Sequence, residues 1–97
     1  MLQVPYTLET NDIVVHAVQH LPSDAFMKRC IDQFDRLYAE GATQPRIMAI
    51  SLHPYLSGVP HRIGYLEKAI DHIRAHDGAI WMTGEEIAAW YRRAAGI

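Results

Sequence analysis

The 97 residues contain a single cysteine, Cys30, which leaves no partner for a disulfide within the chain and no set of thiols for a cysteine-based zinc knuckle. An excess of positive charge is missing as well. Nine Lys and Arg stand against eleven Asp and Glu, for a formal charge of -2, and the pI is near 6.3. Such a chain offers no broad basic field to a phosphate backbone or an anionic bilayer, so neither nucleic acid nor membrane is expected as a partner. No apolar run approaches the ~18 residues that a membrane span requires. The opening MLQVPYTLETND has neither the basic nor the apolar region of a secretory signal, and a cytoplasmic location is expected. Repeats, linkers and low-complexity stretches are absent, and the length excludes two complete domains.

What is present is a core-forming composition, 49% apolar and 21% charged. Residues 2–6 read as a short strand whose Pro5 marks an edge or an end. Residues 11–20 stay open between strand and helical turn, because Ile13, Val14 and Val15 favour the first and Asn11 with Asp12 the second. Ser23 reads as an N-cap with Asp24 in the first turn. Phe26, Cys30, Phe34, Leu37 and Tyr38 then recur at helical steps until Gly41 stops the helix. Within that stripe Cys30 reads as a buried, inert thiol. Ile47, Met48, Ala49, Ile50 and Leu52 make 46–52 a nearly continuous apolar strand of the kind covered on both faces. Pro60 at the first helical position opens a helix with Ile63, Leu66, Ile70 and Ile73 inward, ending at Gly78. Residues 79–82 form a third short strand. Thr83 and Glu86 then make a capping box for a last helix that turns Ile87, Trp90, Tyr91 and Ala94 inward.

Strand and helix alternating three times predict an α/β fold, three βα units on a parallel sheet with right-handed crossovers. Three parallel strands are few for a sheet that needs both faces covered. Residues 1–97 are therefore expected to form a single partial domain, a slice of something larger.

The break in this pattern, SLHPYLSGVPHR at 51–62, carries the candidate chemistry. His53 at a strand end can exchange protons near neutral pH, or it can merely terminate the strand through a backbone carbonyl. Tyr55, His61 and Arg62 are the residues beside it that could contact a substrate. Two HxxxH spacings also occur, His16 with His20 and His72 with His76, and an i, i+4 pair on a helix can converge on one ion. His72 and His76, however, fall away from the apolar stripe among Asp71, Arg74 and Asp77, so a solvated face is preferred and no metal site is assigned. Trp81 and Trp90 are assigned to packing, Glu9 and Asp12 to capping.

Taken together, VPYTLETND, FDRLYAEG, MAISLHPYLSGVPHRIGYLEKAIDHI and IWMTGEEIA resemble the C-terminal part of the NodB-type polysaccharide deacetylases, a carbohydrate esterase family, in the branch with allantoinase-like and peptidoglycan-deacetylase-like members. The LHP motif followed by GxPxR is the most specific segment. The resemblance implies the C-terminal slice of a deformed (β/α) barrel and hydrolysis of acyl-amide carbon-nitrogen bonds, as in N-acetylated sugars. It also implies a divalent metal, typically zinc, held by an aspartate and two histidines, with a second aspartate as base and a late histidine as acid. His53 matches that late histidine, on the rim where barrel enzymes place catalytic groups. The family's early paired aspartates have no counterpart, since no two aspartates are adjacent in this chain.

The resemblance thus implies a portion of a hydrolase that holds no cofactor by itself and is inactive alone. Its expected partners are a missing N-terminal half or a second copy of the chain, and a carbohydrate or small amide substrate is met only in the complete enzyme. A non-catalytic, self-associating α/β interaction module is the alternative.

Overall fold

The computed structural model describes residues 7–97, so the strand expected at 2–6 lies outside the described residues. In chain order the elements are a π-helical turn, Ile13–Val18, then α1 (Ala25–Glu40), a short α2 (Pro54–Ser57), α3 (Pro60–Arg74) and α4 (Gly84–Ala95). Phe26, Cys30 and Phe34 lie one turn apart on α1 and all are buried. That stripe meets Ala69 and Ile73 of α3, which are buried in turn. Val15, Phe26, Cys30 and Ala69 form the centre, with Ile31, Met48, Ile50 and Leu66 packed around it. Each large apolar side chain buried this way contributes roughly 1.5–3 kcal/mol. Burial also pushes the Cys30 thiol up to about 12, which makes it the inert core residue expected.

The α/β expectation fails. Of the described residues 59% are helical and 2% are in strand, with no sheet among them, and their single ladder element is a parallel bridge between Asn11 and Ser51. Residues 46–50 and 79–82 carry no regular structure. Three βα units on a parallel sheet, and with them a slice of barrel wall, are therefore not what these residues form. The reason lies in how a strand is stabilised. An apolar run with β-branched residues fits a pleated, covered surface, but its N–H and C=O groups need strands alongside. Here Met48 and Ile50 find the side of the helical core, and among the described residues no neighbouring strand completes the ladder.

Residues 11–20 resolve as helix of an uncommon kind. The Gln19 N–H donates to the Val14 carbonyl at 2.9 Å, across five residues, and His20 at φ +53° ends the turn. The first cap shifts by one residue, because Asp24 rather than Ser23 occupies the N-cap of α1. Asp24 makes no side-chain cap bond and instead pairs with Lys28 at 3.0 Å. Pro60 opens α3 as expected, but the helix stops at Arg74 and Gly78 sits in the following turn at φ +84°.

The capping box of α4 forms as the sequence predicts. Thr83 Oγ1 accepts from the Glu86 N–H at 3.1 Å, and Glu86 Oε2 accepts from the Thr83 N–H at 3.2 Å. Its apolar stripe does not turn inward, however. No residue of α4 is buried, and Trp81, Trp90 and Tyr91 are exposed rather than part of the core. The outline reflects this, with extents of 45 × 29 × 19 Å and a radius of gyration of 14.6 Å, against about 13 Å for a compact 100-residue domain. Among the described residues no helix is long and apolar enough to cross a membrane.

Candidate active site

The Asn11–Ser51 bridge positions the site. The Ser51 N–H donates to the Thr10 carbonyl at 2.9 Å, and the Asp12 N–H donates to the Ser51 carbonyl at 3.2 Å. The Thr10 hydroxyl closes on the Ala49 carbonyl. Asn11 Oδ1 accepts from the Ile13 N–H at 3.0 Å and bends the chain into the π-helical turn. These bonds place the Asp12 carboxylate, fully buried, beside His53.

Three donors converge on that carboxylate. Oδ2 accepts from the His53 backbone N–H at 2.7 Å and from the Ser57 hydroxyl at 2.7 Å, while Oδ1 meets His53 Nδ1 at 2.7 Å. The turn that returns Ser57 to Asp12 follows from local sequence. His53 is the N-cap of α2 in extended conformation, Pro54 holds the first helical position, and the Leu56 and Ser57 N–H groups bond the His53 carbonyl at 2.9 and 3.0 Å. Gly58 ends the turn so tightly that a Cβ there would lie 2.7 Å from the Pro54 carbonyl oxygen. Only glycine fits without a shift.

Burial alone would raise the Asp12 carboxyl. The hydrogen bonds from the His53 N–H, the Ser57 hydroxyl and the His53 ring, with the charge of that ring, outweigh it and hold the group below the usual carboxylate range. A carboxylate only accepts, so the proton in the 2.7 Å contact sits on His53 Nδ1. That leaves Nε2 as the atom free to give or take a proton. Asp12 thereby fixes the tautomer and the orientation of a ring that is still about a third exposed, at 36%.

The other expected residues are placed differently. Tyr55 is exposed and sets its ring edge-to-face on His53, centroids 5.9 Å apart, so it can form one wall beside Nε2. Arg62 turns back toward α2, donating from Nη1 to the Leu56 carbonyl at 3.3 Å, and its buried Nε has no partner. His61 is exposed at the start of α3 and makes no hydrogen bond to the His53 group. Sequence reasoning missed Asp12 as more than a cap, and it missed Ser57. No spacing rule links residues 41 apart; the one available hint was an aspartate set directly before three β-branched residues.

His16 is a further missed member of this neighbourhood. It is buried, its Nδ1 has no partner, and its ring lies edge-to-face with Phe26 at 6.1 Å. Burial depresses its pKa, the Arg62 guanidinium depresses it further, and the Asp12 carboxylate opposes both.

The metal implied by the family resemblance does not fit the residues around His53. Both Asp12 oxygens are engaged, and among the described residues the one group of three potential ligands is Asp35, His72 and His76, on α1 and at the end of α3. What the His53 group can supply is a positioned proton donor or acceptor.

No family model matches the chain. Over 93 residues it is 43% identical to a Schizosaccharomyces pombe protein named as a candidate polysaccharide deacetylase, which covers 93% of this chain and 29% of that protein. It is 40% identical over 58 residues to a Helicobacter pylori peptidoglycan deacetylase, covering 60% of this chain and 19% of the relative. The crystal structure of a "probable polysaccharide deacetylase" from Pseudomonas aeruginosa superposes with a TM-score of 0.85 at 40% identity, over 93% of this chain and 30% of that one. The chain therefore spans less than a third of the length of these relatives. Since identity at this level runs through nine tenths of the chain, with the same backbone course, the chain belongs to the polysaccharide deacetylase family.

Proposed function

We propose that this chain is the C-terminal, acid-bearing part of a hydrolase that cleaves acyl-amide carbon-nitrogen bonds in carbohydrates, and that it is inactive alone. The observation that carries the reading is the Asp12–His53 pair: a buried carboxylate holds Nδ1–H at 2.7 Å and leaves Nε2 of a partly exposed ring to exchange protons. Protonated, that nitrogen can deliver a proton to the leaving amine as the carbon-nitrogen bond breaks, while Asp12 keeps the ring aligned. Tyr55 borders the position the leaving group would take. Arg62 braces α2, and with it His53, through the Leu56 carbonyl.

Activation of water and polarisation of the acyl oxygen fall to groups outside these residues. The remaining part of the hydrolase would also cover apolar side chains left bare here, among them Ile47, Ile80, Trp81 and Trp90.

A chimera tests this directly. The corresponding segment of the Pseudomonas aeruginosa protein is replaced by this chain, and release of acetate from N-acetylated oligosaccharides is measured. The chimera should turn over, the isolated chain should not, and His53→Ala in the chimera should lower the rate by about 10²–10⁴-fold. A His53→Ala chimera as fast as its parent would remove the proposal.

The same exposed apolar residues favour a second reading, a self-associating interaction module without catalysis. Sedimentation of the isolated chain distinguishes the two: a discrete dimer that buries Trp90, joined to an inactive chimera, would select the module.

A further inference from the structure

We infer that α1, the last turn of α3 and the turn that follows it form a binding site for one divalent transition metal ion, with Asp35, His72 and His76 as ligands. The site is independent of His53. At 1.5 Å rise per residue, His72 lies ~15 Å along α3 from Arg62. The i, i+4 histidine pair is visible in the sequence as a solvated face, and the fold adds what that reading lacked, a carboxylate from a different helix. One potential ligand atom from each of the three residues lies within 4.8 Å of the others. Ligands about 2.0–2.2 Å from a zinc ion are separated by somewhat less than this, so side-chain rotations alone can close the set.

The two imidazoles are already held in place. His76 Nδ1 bonds the His72 carbonyl at 2.7 Å. A carbonyl only accepts, so Nδ1 carries the proton and His76 Nε2 keeps its lone pair for a metal, the arrangement in which the second ring nitrogen of a ligand is tied to a backbone oxygen. Phe34 and Tyr38 enclose the His76 ring at 5.0 and 4.9 Å, and Phe34 also meets the His72 ring edge-on at 6.0 Å. Tyr38 pins the segment beyond α3 by donating from its hydroxyl to the Asp77 carbonyl at 2.7 Å.

His72 Nε2 and Asp35 Oδ1, 2.6 Å apart, share a proton. A metal ion takes that proton's place. It either moves to His72 Nδ1 or, from a doubly protonated ring, leaves to solvent, so the metal competes with protons as the pH falls. Two imidazoles and a carboxylate suit Zn²⁺, Co²⁺, Ni²⁺ or Cu²⁺ and not the oxygen-preferring Mg²⁺ or Ca²⁺. Asp35 is 51% and His72 31% exposed, so a fourth position opens to water. Bound there, the ion clips α1 to α3.

The test uses the untagged, chelator-stripped chain, titrated with Co²⁺ by visible absorption and with Zn²⁺ by calorimetry at pH 7.5. One equivalent should bind, produce the ligand-field bands of a four- or five-coordinate Co²⁺ site and raise the thermal midpoint, with EDTA reversing both. Asp35→Asn and His76→Gln should each weaken binding by about tenfold or more, with unchanged far-UV circular dichroism showing that the fold is kept, while His20→Gln should bind like the parent. Absence of saturable one-equivalent binding, or affinity unmoved by both ligand variants, would overturn the inference.

Discussion

Two ends of this molecule have equally well-formed local structure and opposite degrees of burial. Around Asp12 and His53, every oxygen of the carboxylate is matched by a donor, and the neighbouring Val15, Phe26 and Cys30 exclude water. Around α4 the capping box is complete, Glu85 and Glu86 stand at the start and Arg92 and Arg93 at the end, yet no residue is buried. Caps and charges matched to the helix dipole stabilise a helix by about 0.3–2 kcal/mol each, whatever it packs against. Burial needs a second surface. The comparison separates a region whose contacts lie within the chain from one whose apolar face, Trp90 and Tyr91 beside Pro45 and Ile47, is open.

Substitutions should respect that division. Phe26→Ala removes the large side chain at the centre of the first region and should destabilise by about 3–5 kcal/mol in urea unfolding followed by circular dichroism; a loss under 1 kcal/mol would mean that the α1–α3 core does not hold the chain together. Asp12→Asn comes next. The amide keeps one acceptor but sets its own N–H₂ against a donor, at a cost of about 1–3 kcal/mol, and ¹⁵N NMR of the His53 ring should show Nδ1 and Nε2 sharing the proton once the carboxylate no longer selects the tautomer.

Acid should act on the first region in two stages. His16 has a pKa depressed in the folded chain, so its contribution is complete above the unfolded value near 6.5 and is lost as pH falls from there toward the folded value. Asp12 is likewise depressed, so what it contributes is present above about 3.9 and disappears as pH drops through its lower folded value. Thermal midpoints should therefore decline below pH 6.5 and fall again below pH 4, and Asp12→Asn should shrink the second decline to what the lowered carboxyls of Glu9, Asp24 and Glu40 leave.

In the second region effects should be small and local. Thr83→Ala should cost about 1 kcal/mol and read out as faster amide exchange at Glu85 and Glu86, with the global midpoint nearly unmoved. Trp90→Ala should change the stability of the isolated chain by no more than about 0.5 kcal/mol. A larger loss would show that α4 is covered in solution, by a second copy, and the contrast between the two ends would then vanish at concentrations where dimers form.

Whatever depends on neighbours within a turn or two is legible in the order of residues. Pro60 at the start of α3, the stripe from Phe26 to Phe34, the capping box at Thr83 and the buried thiol of Cys30 are all local consequences of steric fit and amphipathic spacing. The resemblance located His53. Which carboxylate serves that ring was settled by long-range folding, because Asp12 reaches His53, 41 residues away, through the Asn11–Ser51 bridge. It likewise decided that Asp35 faces His72, and that the apolar runs with strand character at 46–50 and 79–82 pair with no strand among the described residues. Periodicity records which side of a segment avoids water, whereas a strand or a site exists only when a second segment arrives to accept its hydrogen bonds or complete its charges.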